Sequence, residues 1–325
     1  MPTISHTLPW AESPFFEREL RESDISDADN AFVKQFAEYG YVIFDPKISE
    51  DTIENLKREL ASYFDTLDKD QKPTTRIQDA WRFNENVKKI AVSEEVLNKL
   101  TLLYRRKPIP FQTLNFNVGT QQRTHSDMIH FSSIPERFMC GVWLALEDVH
   151  EDNGPLHYYP KSHKLPFYEM SDMGIKGSDS IKKKQGYMDY GAYYENFIAE
   201  VVKDLRLEKK TLNIRKGQAL IWSANLLHGG EKINIPGSTR HSQVTHYYFE
   251  DCIYYTPLFS DIAIKKMDIR KITDISSGTV VENKYLGTTI KVKRSAAVKI
   301  KKLIKKPLMK IYNTLMNKNK KPSMD

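Results

Sequence analysis

Apolar and polar positions follow two different periods along this chain, and the change from one to the other divides it. In DADNAFVKQFAEYG, Phe32, Phe36 and Tyr39 fall near helical spacing, and Gly40 suits a C-terminal cap. YVIFDP is a short apolar run stopped by Pro46 and predicts a strand. ISEDTIENLKRELASYFDTL opens with Ser49, has Thr52 three residues on, and keeps Ile53, Leu56, Leu60 and Phe64 on one face, which predicts an amphipathic helix. SEEVLNKLTLLYRR predicts another helix over 93–106. From Pro108 the pattern becomes strand-like and is broken by Gly, Pro, Asn and Asp: PFQTLNFNVG, FMCGVWLALEDV, PLHYYP, QALIWSANLLHGG and STRHSQVTHYYFE. Many short strands without βαβ alternation predict a mainly β fold, a barrel or double-sheet jelly roll carrying helices on its outside. An insertion over about 170–210 interrupts the strands. It holds the lysine run Lys182 to Lys184, a tyrosine-rich stretch (Tyr187, Tyr190, Tyr193, Tyr194) and a helical pattern near 192–206.

Charge separates a body from a tail. The net charge is +7, yet from Lys291 to Asp325 there are 12 Lys/Arg against 1 acidic residue, a net of +11 that leaves −4 for the first 290 residues. The basicity belongs to the last 35 residues, and the body offers no basic groove to track phosphates, which argues against a nucleic-acid enzyme. The longest apolar runs are far shorter than the roughly 20 residues that span a bilayer. The N-terminal sequence lacks a basic region followed by an apolar stretch, so a cytoplasmic location is expected. Cys140 and Cys252 are the only cysteines, too few for a disulfide framework, and are expected to be reduced and structural.

The candidate chemistry begins at His125-Ser126-Asp127. An iron(II) centre that must leave open positions for co-substrate and dioxygen is held on one face by two histidines and one carboxylate. On a strand, residues i and i+2 point the same way, so His125 and Asp127 are expected to face a barrel interior together. The triplet is weak alone: 9 histidines and 42 acidic residues in 325 give about one His-x-acid by chance. A second copy, His150-Glu151-Asp152, precedes the turn signal Asn153-Gly154-Pro155 and reads as a solvated loop. His228 closes an apolar strand and supplies a third ligand from a distant segment. Arg240 and Ser242 follow on the next strand and share a face, a pairing of guanidinium and hydroxyl that matches a carboxylate. A lone buried His is more often hydrogen-bonded than metal-bound, and a lone Arg is usually a surface charge; the ordered set carries the inference.

Over about residues 30–255 the chain resembles the phytanoyl-CoA dioxygenase family. The matching stretches are LNFNVGTQQRTHSD, GVWLALEDVHEDNGPLHYYPKSHKLP, KGQALIWSANLLHGGEKI and STRHSQVTHYYF. The resemblance implies a double-stranded β-helix (jelly-roll, cupin-like) core with flanking N-terminal α-helices. It implies His125, Asp127 and His228 as iron ligands, Arg240 as the 2-oxoglutarate anchor, and O2 as the second co-substrate. Asn115 and Gln122, just upstream of His125, are further candidates for co-substrate contact, with polar residues satisfying a barrel interior as the plainer alternative. Related iron halogenases have Ala or Gly at the carboxylate position; Asp127 therefore points to hydroxylation, although desaturation, ring formation and epimerisation use the same ligands.

The expected organisation is an N-terminal extension over 1–27, a catalytic domain over 28–260 with the insertion as a lid, an extension over 261–294, and a basic tail over 295–325. In that tail Ile300, Ile304, Leu308, Ile311 and Leu315 line one helical face among lysines, interrupted at Pro307, which suits peripheral association with an anionic membrane surface. A solvated tail or an acidic partner fits the same pattern. The substrate expected is a small organic molecule, or one linked to lipid or glycan. Competing readings are a non-catalytic cupin-like module that binds a metal or sugar, and a zinc hydrolase, which has no use for the Arg-x-Ser pair.

Overall fold

The computed structural model describes residues 7–66, 76–178 and 189–291. In chain order the strands are β1 (Tyr41–Phe44), β2 (Arg76–Gln78), β3 (Pro108–Phe116), β4 (Ser132–Ile134), β5 (Met139–Ala145), β6 (Leu156–Tyr158), β7 (Lys210–Thr211), β8 (Ala219–Ser223), β9 (His228–Gly230), β10 (Ser242–Phe249), β11 (Ile253–Tyr255), β12 (Lys284–Tyr285) and β13 (Thr288–Thr289). A six-stranded antiparallel sheet has the order β1-β8-β5-β10-β3-β2, and a three-stranded sheet has the order β7-β6-β9. The pairs β4–β11 and β12–β13 complete the strands.

The period of two decides which side chain meets which layer. Trp143 and Ala145 of β5, Leu220 and Trp222 of β8, Leu114 and Phe116 of β3 and Val244 of β10 join Leu156 and Tyr158 of β6 in one buried cluster. That cluster is where the two sheets meet. The alternate residues, including Val42, Val142, Leu144 and Ile221, face a second core closed by helices α1 (Phe16–Arg21), α2 (Asp27–Tyr39), α3 (Glu50–Thr66), α4 (Glu85–Ala91) and α5 (Glu94–Tyr104).

Helix α2 shows how local signals fix these elements. Ser26 accepts a hydrogen bond from the Asp29 N–H at 3.1 Å, acidic Asp27 and Asp29 sit at the positive end of the helix dipole, and Val33, Phe36 and Ala37 are buried. The helix ends at Gly40, whose φ of +80° is the left-handed cap conformation; its N–H donates to the Phe36 carbonyl at 2.8 Å. Each large apolar side chain so buried contributes about 1.5–3 kcal/mol.

One expectation needs correction. The run QALIWSANLLHGG is two strands, not one: β8 and β9 belong to different sheets, joined by a turn over 224–227 in which Asn225 donates to the carbonyls of His163 and Leu165. The described part of the insertion packs onto the body. A π-helical turn (Tyr190–Tyr194) runs into a short helix (Glu195–Asp204), and Tyr190, Tyr194 and Ile198 pack with Ile129, Leu227 and Leu258 in a third buried cluster. Lys182 to Lys184 and Tyr187 lie outside the described residues. The flanks also contribute core: Trp10, Phe16 and Leu20 ahead of residue 28, and Ile272 and Ile275 after residue 260, are buried in the helix-covered cluster.

Contacts group residues 1–289 into one compact unit. The membrane-binding helix expected in the basic tail lies outside the described residues. Among these, no helix is long and apolar enough to cross a membrane. Cys140 and Cys252 are free and buried, and burial pushes the Cys252 thiol up to about 12.

Candidate metal and co-substrate site

His125 and Asp127 do not share a strand. His125 forms an isolated antiparallel bridge with His228, their backbones exchanging hydrogen bonds of 2.9 and 3.0 Å. Asp127 opens a 3-10 turn (Asp127–Ile129) capped by Ser126, whose hydroxyl accepts from the Met128 N–H at 3.2 Å. The turn swings the carboxylate back over the bridge, so the three side chains converge although the i, i+2 strand geometry is absent. His125 Nε2 lies 3.6 Å and His228 Nε2 3.9 Å from Asp127 Oδ1, and the three ligand atoms all fall within 4.8 Å of one another. Donors bound at about 2.1 Å and right angles stand about 3 Å apart, so small side-chain movements would close this set on a first-row metal.

The protonation pattern suits a metal. Nδ1 of His125 lies 2.9 Å from the Arg123 carbonyl, and Nδ1 of His228 lies 2.9 Å from the Leu226 carbonyl. A carbonyl only accepts, so each Nδ1 carries the proton and each Nε2 presents a lone pair to the centre. Burial pushes His228 down to about 4 and keeps it neutral. Burial raises the Asp127 carboxyl, while a proton on the neighbouring imidazoles of His228, His125 or His246 would pull it down; the balance lies well below the usual carboxylate range.

Sequence reasoning missed the residues that aim the carboxylate. Trp222 Nε1 donates to Asp127 Oδ2 at 2.8 Å, leaving Oδ1 for the metal, and His246 Nε2 lies 3.6 Å from Oδ2. Trp222 is fixed from behind by Gly141, where any Cβ would collide with the indole. His246 was findable, since Arg240, Ser242, Val244 and His246 alternate along one face; Trp222 was hidden inside an apolar run. Trp222→Phe keeps most of the ring but removes the donor, and should weaken iron(II) binding about 10–100-fold while leaving 2-oxoglutarate affinity at saturating metal unchanged. Iron titration giving equal affinities for the two proteins would remove Trp222 from this role.

The triad opens into a cavity of about 510 Å³. Arg240 lies on its wall, 1% exposed, with its guanidinium 5.5 Å from the Trp143 ring and 5.8 Å from the Phe116 ring. Its Nε and Nη1 are buried without a hydrogen-bond partner among the described residues, and burial pushes its pKa down to about 10. A buried, unpaired guanidinium is costly unless an anion completes it. Arg240 precedes β10 rather than lying on it, yet its N–H donates to the Asn117 carbonyl at 2.9 Å and continues the pairing with the β3 side. Ser242 is fully buried on the same face, its Oγ also without a partner. Gln122 lines the cavity with Nε2 3.3 Å from His125 Nε2. Asn115 does not line it: it faces the helices, where its Nδ2 donates to Gln243 Oε1 at 3.1 Å while its Oδ1 is left without a partner among the described residues. His150 is exposed in a loop, its N–H donating to Asn153 Oδ1.

Comparison with known proteins gives this arrangement a context. Residues 36–242 match the phytanoyl-CoA dioxygenase (PhyH) family. Among solved structures, the non-heme alpha-ketoglutarate-dependent carbocyclase SnoK from nogalamycin biosynthesis is 14% identical, with a TM-score of 0.55 over 76% of this chain and 94% of that one. The epimerase SnoN, in complex with Fe3+, alpha-ketoglutarate and nogalamycin RO, is 16% identical, with a TM-score of 0.54 over 78% and 95%. EctD from S. alaskensis, with 2-oxoglutarate and 5-hydroxyectoine, is 18% identical, with a TM-score of 0.50 over 69% and 76%. No curated protein sequence matches significantly. These likenesses show the fold, a jelly-roll-type double-stranded β-helix with helices on one face.

Proposed function

Because this chain belongs to the phytanoyl-CoA dioxygenase family, we propose that it is an iron(II)- and 2-oxoglutarate-dependent oxygenase that hydroxylates a small organic substrate. Bound iron and 2-oxoglutarate supply the oxidising power, taking O2 and releasing succinate and carbon dioxide. The protein contributes holding and orientation. His125, Asp127 and His228 would hold the iron on one face, with Trp222 turning Asp127 Oδ1 toward it. Arg240 would clamp the distal carboxylate of 2-oxoglutarate in a bidentate fork, with Ser242 alongside on the same face.

The single observation carrying this reading is the buried Arg240 guanidinium with two donors unpaired, sharing one cavity with the triad. A module that binds only a metal or sugar gains nothing from that arrangement. Hydroxylation is preferred because the carboxylate ligand is retained. SnoK is a carbocyclase and SnoN an epimerase, so scaffolds of the same fold host other outcomes.

The test is absorbance of the anaerobic protein with iron(II) and 2-oxoglutarate, followed by succinate release across a metabolite panel. A weak visible charge-transfer band is expected from bidentate chelation of the metal. Its absence from metal-loaded wild type would overturn the proposal.

A further inference from the structure

The cavity continues past the triad on the side away from Arg240. Along the inner face of β10 the order is Arg240, Ser242, Val244, His246, so Arg240 and His246 mark opposite ends of one strand face. Next to His246 comes Phe131, with ring centroids 5.0 Å apart. Beyond it lies Arg270, whose guanidinium is 4.7 Å from the Phe131 ring and 5.8 Å from the Phe111 ring. Two rings, Phe131 and His246, thus separate this second arginine from the Asp127 carboxylate.

Arg270 is held in place without being satisfied. Its Nη1 donates to Thr256 Oγ1 at 3.1 Å and contacts the His130 carbonyl at 3.5 Å, while its buried Nε has no partner among the described residues. Arg76, exposed on edge strand β2, lines the same mouth. Asp268 lies there as well, but neither arginine forms an ion pair among the described residues, and two guanidinium groups against one carboxylate leave the mouth positive. A guanidinium laid over aromatic faces, braced at one nitrogen and free at another, is preorganised for an oxyanion. Arg270 also lies outside the 36–242 stretch matched by the family, so it can distinguish this chain from its relatives.

We propose that Arg270, with Arg76 at the rim, forms an anion subsite for the primary substrate, which would carry a carboxylate or phosphoryl group a short distance from the carbon that is oxidised. The inference rests on the oxygenase reading, in which 2-oxoglutarate fills the Arg240 end and leaves this end for the substrate. A neutral or cationic molecule would leave Arg270 uncompensated and would be selected against.

The experiment uses the full chain loaded with manganese(II) and 2-oxoglutarate, which is bound without turnover, and titrates it calorimetrically with phenyl phosphate, benzoate and benzyl alcohol. At least one anion is expected to bind saturably and the alcohol not to bind. Arg270→Gln should weaken anion binding about tenfold or more, and Arg76→Gln by less, with 2-oxoglutarate affinity unchanged. Preference for phenyl phosphate would assign a phosphoryl group, and preference for benzoate a carboxylate. Equal binding of the alcohol, no binding of either anion to loaded wild type, or anion affinity indifferent to both substitutions would overturn the subsite. If Arg270→Gln also lost 2-oxoglutarate, Arg270→Lys would decide, since it keeps the charge: anion binding at least partly recovered, with 2-oxoglutarate retained, supports the subsite, and anion binding as weak as in Arg270→Gln overturns it. Failure of wild type itself to take up 2-oxoglutarate would count against the oxygenase reading, and is read separately, in the first titration.

Discussion

Asp127→Ala is expected to abolish iron-dependent succinate release and to lower iron affinity more than any other single change in the site. Oδ1 is the atom shared by both histidine contacts, so its removal leaves two neutral donors and no charge to balance the metal. The fold should survive. What is lost structurally is the acceptor for Trp222 Nε1, and an unpaired buried donor costs about 1–3 kcal/mol. Iron titration, succinate assay and thermal melting of the same preparation separate the two effects. His150→Ala, in the exposed loop of the other His-x-acid triplet, should behave as wild type in all three. Wild-type turnover by Asp127→Ala would end the facial-triad assignment.

Arg240→Ala should raise the 2-oxoglutarate requirement by roughly a hundredfold, corresponding to about 3 kcal/mol for a charge-assisted fork in a buried site, with iron affinity little changed. Arg240→Lys should recover only part, because an ammonium cannot reproduce two parallel donors. The same residue gives a stability effect of opposite sign. Without co-substrate the guanidinium is a buried charge with no ion pair among the described residues and only the more distant Glu147 to offset it, so Arg240→Met should melt at or above the wild-type temperature while losing all stabilisation by added 2-oxoglutarate. Melting curves with and without 2-oxoglutarate check both signs, and an Arg240→Met protein still stabilised by it would place the anchor elsewhere.

The helices around residues 28–66 and 93–106 and the strand faces were legible because short-range periodicity and turn chemistry determine them. Periodicity tells which residues share a face but not which sheet a strand joins. Hence the break between β8 and β9, which carries His228 from one sheet to the other, was invisible inside a continuous apolar run. The 3-10 turn at Asp127 was missed for a related reason: Ser126 acts there as a cap, and in a strand reading its side chain has no role. Asn115 and Gln122 looked equivalent as polar residues upstream of His125. Asn115 lies on β3, where its odd position faces the helices, whereas Gln122 lies in the irregular loop past the strand end, which brings it to the cavity.

Strand β10 is paired on both sides, to β3 and to β5, and its outer face is tied down where Gln243 donates to the Val87 carbonyl at 3.0 Å and Tyr247 to the Ala91 carbonyl at 2.8 Å. Between Arg240 and His246 it has little freedom to stretch or shift, because a one-residue slip would turn every side chain to the wrong face. The strand acts as a gauge. Its fixed backbone sets where the guanidinium stands relative to His246 and, 3.6 Å from His246, the Asp127 carboxylate. A keto diacid one methylene shorter would fall short of the fork, and one methylene longer would have to buckle against Trp143 and Phe116. Chain-length selection among 2-oxo acids is thus set by the backbone of one strand, and should persist in variants that alter the substrate end of the cavity.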